Sequence, residues 1–211
     1  MNITIEKFSK ELAPDFFDFF DNRAFSDGSP YYPCYCDAYF LTPEEVIYNT
    51  DARARELGGT KEALRQALKE SAKRLIDEGT MQGYLAYDKS TAIGWCNAGE
   101  KAKYTRAGDL NPACRCDGDI YFENVIPGEV FSIICFEIAP EYRGIGIAKA
   151  LLNHAVKDAK EAGYKAAEGY PKVKDGFSAL DFTGPMGLYL GAGFYEAYRT
   201  EKTAVMRKDL R

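Results

Sequence analysis

The chain has 211 residues, of which 46% are hydrophobic, 28% charged and 14% aromatic. This composition is typical of a globular protein and excludes an intrinsically disordered or collagen-like chain. A net charge of -5 argues against general binding to the phosphate backbone of nucleic acids, and favours neutral or cationic small partners. No run of apolar residues approaches a signal peptide or the ~20 residues of a membrane span, so we expect a cytoplasmic protein without a membrane partner.

The first 80 residues show mainly helical signals. Ile3 to Ile5 alternates like a short strand, and an aromatic-rich helix is predicted over 15–23. Residues 26–41 contain two prolines and four tyrosines without a period, which predicts a structured loop. Thr42-Pro43-Glu44-Glu45 is a capping box that begins a helix, and a further helix follows Thr60 and stops near Gly79.

From residue 82 onward the periodicity alternates between strands and helices. A hairpin is predicted from GYLAY and AIGWCNA, followed by an unusually long connection over 99–129 and a buried strand over 130–138. The remaining predicted elements are a helix up to Gly163, a strand over 164–170, a short helix over 187–192 and a closing strand pair over 194–199 and 203–206. This order predicts an α/β fold with mixed strand directions.

The numbers of cysteines and histidines limit which disulfides and metal sites the protein could form. The six cysteines are Cys34, Cys36, Cys96, Cys114, Cys116 and Cys135, and His154 is the single histidine. Without a secretion signal, reduced thiols are favoured over disulfides. The two Cys-x-Cys pairs suggest a four-thiolate zinc site in a zinc-dependent interaction protein, but their spacing is shorter than zinc sites usually have. We therefore expect no metal, and the roles of both pairs stay open.

The turn from Arg143 to Ala148 joins a buried strand directly to a helix. The first N–H groups of a helix are unpaired and lie at its positive dipole end, so glycines at this point allow an anion to approach. The turn lacks the P-loop pattern, and Lys149 stands where a dinucleotide-binding turn needs a small residue. A glycine turn that only relieves backbone strain is the alternative interpretation.

The segment FEIAPEYRGIGIAKALLNHAVKDAKEAGY resembles the acetyl-CoA-binding motif of the GNAT superfamily of acyltransferases, with Arg143, Gly146 and Ala148 at the signature positions. GPMGLYLGAGFYEA is similar to a second family stretch and places Tyr189 four residues before Gly193. The resemblance covers residues 82–207, and residues 1–80 match only as a variable part of one domain spanning 1–211. It implies a mostly antiparallel sheet with a splayed central strand, flanked by helices on both faces.

The resemblance also implies an N-acetyltransferase that moves an acetyl group from acetyl-CoA directly to an amine, most simply on a small molecule, within a ternary complex. The strand end would pair with the pantetheine arm, and the amides of the turn would hold the pyrophosphate. The implied cofactor-binding residues are Phe136, Glu137, Ile138, Arg143, Gly144, Ile145, Gly146, Ile147 and Ala148. A non-catalytic acyl-CoA-binding or sensing module is the alternative. The acceptor, the acyl-chain length and a homodimer are left open.

Two residues are candidates for proton transfer. Tyr189 is the candidate general acid by its position in the second stretch, against a purely packing role. Glu137, a carboxylate in an apolar strand, is the candidate general base, against a solvent-facing position, with Glu168 and Glu123 in reserve. The tyrosines of the 26–41 loop are expected to line an acceptor pocket or to pack the loop, and His154 is expected to have no catalytic role.

Overall fold

A computed structural model of the protein describes residues 2–108, 119–174, 176, 178 and 181–211. Its main sheet has seven strands. In spatial order they are β1 (Ile3–Lys7), β2 (Tyr84–Asp88), β3 (Thr91–Glu100), β6 (Val130–Ile138), β7 (Ala166–Gly169), β9 (Ala204–Asp209) and β8 (Tyr195–Arg199). In this sheet β6 and β7 pair in parallel, and the other neighbours pair antiparallel. The predicted mixed, mostly antiparallel sheet is confirmed.

The helices lie before and between these strands. They are α1 (Ala13–Asn22), α2 (Pro43–Glu45), α3 (Ala52–Glu56), α4 (Lys61–Asp77), α5 (Ile147–Glu161) and α6 (Met186–Gly191), and a π-helical segment, Val46–Asp51, joins α2 to α3. The predicted capping box is present, since the Thr42 hydroxyl accepts the Glu45 N–H and the Glu45 carboxylate accepts the Thr42 N–H. No described helix combines the length and apolar character required to cross a membrane.

Helices cover both faces of the sheet, as predicted. On one face α1 buries three phenylalanines, and the Phe16 ring meets the fully buried Trp95 ring of β3 edge to face at 4.9 Å. On the other face α5 buries an apolar stripe that includes Leu151, Leu152 and Ala155. The two cores fix the central strands from both sides.

The described part of the long connection over 99–129 includes a small two-stranded unit. Its strands β4 (Arg106–Ala107) and β5 (Ile120–Tyr121) form a separate two-stranded sheet. The buried Arg106 guanidinium donates to the carbonyls of Ala38 and Leu41 and so connects this unit to the 26–41 loop. Cys114 and Cys116 lie outside the described residues.

The centre of the sheet opens between β6 and β7. These strands pair only from Val130 to Ile133 on β6, whereas β3 pairs with β6 as far as Ile138. A register irregularity between Asn97 and Ala98 of β3 lies beside the opening, and such bulges bend and twist a strand pair. The predicted splayed central strand is therefore confirmed, and the gap leaves β6 without β7 as a neighbour from Ile134 to Ile138.

Candidate active site

An open groove of about 270 Å³ lies at this gap. It is bounded by the end of β6, the start of α5 and the start of α6. Of the predicted cofactor-binding residues, the groove is lined by Phe136, Glu137, Ile138, Arg143, Gly144, Gly146, Ile147 and Ala148. Ile145 is the exception, and its side chain is 52% exposed.

The start of α5 is open to an anion. Gly144 and Gly146 have φ values of 77° and 94°, and a Cβ added at either would have no heavy atom within 4 Å. Glycine is the residue that adopts this left-handed conformation without strain, and here its missing side chain leaves the helix terminus accessible. The first N–H groups of the 15-residue helix α5 have no partner within the helix. The groove therefore ends at a cluster of main-chain donors.

The exposed edge of β6 supplies further main-chain groups. Because alternate residues of a strand face opposite edges, Phe136 and Ile138 present their peptide groups to the side that β7 leaves open. The Phe136 N–H donates to the Phe182 carbonyl at 2.5 Å, and the Ile138 carbonyl accepts the Nε of Arg143 at 3.0 Å. The Phe136 carbonyl and the Ile138 N–H face the same edge.

The Arg143 side chain turns back into the protein. Beside its bond to Ile138, one guanidinium nitrogen donates to the Asp27 carboxylate at 2.5 Å and another lies 3.5 Å from Oε1 of Glu137. Its guanidinium therefore connects the N-terminal part of the chain to β6. Arg143 borders the groove at the turn, while its charge is directed toward two carboxylates.

Glu137 is buried, with only 3% of its surface exposed, so the solvent-facing position considered from the sequence is wrong. Burial raises the pKa of its carboxyl well above the usual range, the nearby Cys34 thiol raises it further, and the Arg143 guanidinium only partly opposes them. A carboxyl with a raised pKa is a stronger base in its ionised form than an ordinary carboxylate.

A second pocket, of about 50 Å³, lies on the opposite side of β6. Its lining consists of aromatic rings, thiols and one carboxyl group, from Phe25, Tyr31, Cys34, Cys36, Tyr39, Cys135, Glu137, Phe182 and Thr183. The two-residue period of a strand explains its position, because side chains of odd-numbered residues at the end of β6 face the 26–41 loop. Glu137 and Phe182 line both cavities.

The other predicted residues lie outside the junction of these cavities. Tyr189 is fully buried and its hydroxyl donates to the Thr183 carbonyl at 2.7 Å. Its ring packs so closely on Gly169 that a Cβ there would lie 2.0 Å from the ring. Glu168 forms ion pairs with Lys101 and Arg207, both at 2.7 Å. Tyr189 therefore does not line the second pocket itself, but its hydroxyl is bonded to Thr183, which does.

Four further side chains considered from the sequence divide between ring packing and pocket lining. His154 lies on α5 with its ring centroid 5.6 Å from that of Tyr84. Tyr31 and Tyr39 line the second pocket, as the acceptor-pocket expectation requires, whereas Tyr35 is buried against α1 and donates its hydroxyl to Asp21. The loop tyrosines therefore divide between lining and packing.

Several site residues could not be identified from sequence. Asp27 reaches Arg143 across 116 residues of chain, and Phe182 and Thr183 belong to a segment without a secondary-structure signal. Among the described residues, no three His, Cys, Asp or Glu side chains are grouped as a metal ion requires. The four-thiolate zinc hypothesis includes Cys114 and Cys116, which lie outside those residues.

Comparison with known proteins agrees with this architecture. A sequence model described as the acetyltransferase (GNAT) family matches residues 47–170. A search of curated proteins gave no match. The PaiA N-acetyltransferase of Thermoplasma acidophilum, solved in complex with coenzyme A, is 16% identical over 99% of both chains with a TM-score of 0.50, which indicates a shared fold.

Two further solved structures are similar over their whole length. An N-acetyltransferase from Staphylococcus aureus is 16% identical over 100% of both chains with a TM-score of 0.47. A GNAT-family acetyltransferase from Streptococcus pneumoniae is 15% identical over 99% of both chains with a TM-score of 0.49. The family match itself spans more than half of the chain. The chain therefore belongs to the GNAT acetyltransferase family, and acyl transfer is its general class of chemistry.

Proposed function

We propose that this protein is an N-acetyltransferase that moves an acetyl group from acetyl-CoA directly to an amine of a small molecule, with residues 1–211 acting as one domain. The observation that carries the proposal is the junction of two cavities at Glu137. The groove has the main-chain donors that a phosphate-bearing cofactor needs, and the second pocket offers a separate place for an acceptor. A direct transfer requires such an arrangement, since both substrates must be present together.

Different residues of the groove would bind different parts of coenzyme A. The N–H groups from Arg143 to Ala148 would hold the pyrophosphate, because they combine unpaired donors with the positive end of the α5 dipole. On the open edge of β6, from Phe136 to Ile138, the Phe136 carbonyl and the Ile138 N–H would pair with the amides of the pantetheine arm, because the Phe136 N–H and the Ile138 carbonyl already have partners in the protein. The Thermoplasma relative of the same fold binds coenzyme A, which is consistent with this assignment.

Glu137 is proposed as the general base. Acetyl-CoA supplies an activated thioester, so the protein needs mainly to position it and to move protons. An amine must lose a proton during acyl transfer, and the Glu137 carboxylate at the junction would accept it. The raised pKa strengthens this base relative to an ordinary carboxylate.

Tyr189 is proposed as the general acid that protonates the leaving thiolate. Burial raises the pKa of its hydroxyl well above the usual range, so the hydroxyl stays protonated. In this role it must exchange its bond to the Thr183 carbonyl for one to the thiolate sulfur. Protonated Glu137 is the second group that could supply this proton after it has served as base.

The second pocket favours an acceptor that presents a slender amine-bearing end. Its volume of about 50 Å³ limits the inserted part to a few atoms. The aromatic rings of Tyr31 and Tyr39 can contact an alkylammonium group favourably, and the net charge of -5 attracts a cation over longer distances.

The first test is calorimetry on ligand-free protein with acetyl-CoA and CoA, with NADH as the control. Binding of both CoA forms without NADH binding supports the groove assignment. Release of CoA thiol is then followed with a panel of primary amines of increasing bulk. Amine-dependent release supports the enzyme, whereas tight binding without turnover across the panel supports the non-catalytic sensing module instead.

A further inference from the structure

The second pocket contains a cluster of three thiols, Cys34, Cys36 and Cys135, that the proposed acetyl transfer does not use. The Sγ atoms of Cys36 and Cys135 are 4.0 Å apart, although the residues are separated by 99 positions. The Cys34 sulfur accepts the main-chain N–H of Cys36 at 3.3 Å. A disulfide between Cys36 and Cys135 would require the sulfurs to approach by about 2 Å, within the range of side-chain rotation.

The backbone around Cys36 is held in place by dedicated contacts. Cys36 has a φ of 54°, a left-handed conformation that is unfavourable for a residue with a side chain. The fully buried Asn97 donates to the Cys36 carbonyl at 3.1 Å, and Tyr104 donates its hydroxyl to Asn97 at 2.9 Å. Asn97 is also the register partner of Cys135. Asn97 thus holds Cys36 through its side chain and lies opposite Cys135 in the sheet. A strained backbone held in place in this way is typical of functional positions.

The three thiols differ in accessibility. Cys34 is half-buried, whereas Cys36 and Cys135 are 2% and 6% exposed. Cys34 also lines the second pocket, so it is the thiol of the cluster that a small oxidant entering this pocket reaches most readily. The hydrogen bond with Cys135 and burial raise the pKa of the Cys36 thiol. The hydrogen bond with Cys36 lowers the pKa of Cys135, but burial together with nearby acidic groups outweighs it, so that this pKa is raised as well. Both thiols are therefore expected to attack an oxidant slowly.

We propose that this cluster is an oxidation site for small hydroperoxides, in which Cys34 reacts first and a Cys36–Cys135 disulfide is the final product. The Cys34 thiolate attacks the peroxide oxygen, giving a sulfenic acid, and the departing oxygen leaves as water or an alcohol with the thiol proton. The Cys36 thiol displaces water from that sulfenic acid. The Cys135 thiol then attacks the Cys36 sulfur and regenerates the Cys34 thiol.

The oxidation would close the acceptor pocket, and this consequence rests on the proposed function. The new bond would draw the 26–41 loop against β6 one residue before Phe136 and two before Glu137. Acetyl transfer is therefore expected to fall on oxidation and to recover with a thiol reductant. The site itself does not depend on acetyl transfer, because the disulfide is detected by mass alone.

The experiment treats the full-length protein with hydrogen peroxide and maps its peptides without reduction. The expected product is a cross-link between the peptides that contain Cys36 and Cys135, in wild type and in C96S, which changes a buried thiol on β3 outside the cluster. C34S should form it on the order of tenfold more slowly, and C135S should stop at a Cys34–Cys36 bond.

Each failure has a separate meaning. Folded wild-type protein without the cross-link overturns the oxidation site, and an unchanged rate in C34S overturns the role of Cys34. A cross-link that leaves CoA release unaltered overturns pocket closure. If the reduced protein releases no CoA with any amine, the proposed function fails while the peptide map still decides the oxidation site.

Discussion

Replacing Glu137 with Gln tests the central residue through stability as well as activity. The substitution keeps the shape of the side chain and removes the ionisable group. In the folded protein, burial keeps the Glu137 carboxyl protonated up to a pKa well above its usual range. In the unfolded chain the same carboxyl ionises at about pH 4.3. Between these two pKa values the folded protein holds one more proton than the unfolded protein.

This difference fixes the sign and size of the effect. A raised carboxyl pKa gives stability that is present below the unfolded pKa and is lost as pH rises toward the folded value. Within that window wild type loses about 1.4 kcal/mol of unfolding free energy per pH unit relative to E137Q. The difference then levels off, and the pH at which it does so measures the pKa of the folded carboxyl.

The assay is urea unfolding of both proteins from pH 4 to pH 9, with E141Q as a control that changes an exposed glutamate nearby. E141Q should run parallel to wild type. E137Q should also lower kcat by about 10²- to 10⁴-fold without changing acetyl-CoA affinity, as loss of a general base does. A stability difference of opposite sign would show that the Arg143 ion pair outweighs burial, and the reasoning would fail.

Three further predictions concern Gly146 in the turn before α5, the buried Tyr189, and Arg106, which holds the 26–41 loop. Gly146→Val should abolish acetyl-CoA binding measured by calorimetry. The control Gly163→Val, which imposes similar backbone strain at the other end of α5, should bind acetyl-CoA normally. Equal binding by both variants would show that the turn has only a structural role. Tyr189→Phe should lower the free energy of unfolding by about 1–3 kcal/mol, because the buried Thr183 carbonyl loses its donor. An unchanged kcat in this variant would contradict the role of Tyr189 as general acid. Arg106→Met should lower the free energy of unfolding by about 1–3 kcal/mol for each of the two carbonyls that lose their donor, while the folded fraction still binds acetyl-CoA. Loss of acetyl-CoA binding by the folded variant would contradict a purely structural role for Arg106.

Local signals predicted the parts of the site that local forces build. The strand over 130–138 has the observed bounds of β6, because its run of β-branched and aromatic residues is buried on both faces. The turn at Gly144 and Gly146 also follows from sequence, since a left-handed backbone next to a helix start favours glycine. The part of the groove lined by β6 and the start of α5 follows from local sequence because those residues are close in the chain, whereas Phe182 and Leu188 reach it from a later segment. The assignment of this groove to coenzyme A stays a prediction.

The second pocket could not be predicted from sequence for the opposite reason. Its geometry depends on contacts between distant segments, such as Asp27 with Arg143 across 116 residues and Asn97 with Cys36 across 61 residues. The sequence shows Glu137 only as a carboxylate in an apolar strand, and its orientation depends on which face the loop covers. Nothing in the local pattern of the 26–41 loop indicates that it packs against β6.

The position of Glu137 follows from two properties of one strand. The gap beside β7 opens the edge of β6, so that its main chain can pair with an extended ligand on the α5 side. The two-residue period sends the side chains of Cys135 and Glu137 to the other face, where the 26–41 loop closes over them. A carboxyl at the last inward-facing position of the open strand is therefore the group that both cavities share, and moving it by one residue would transfer it to the apolar face beneath α5.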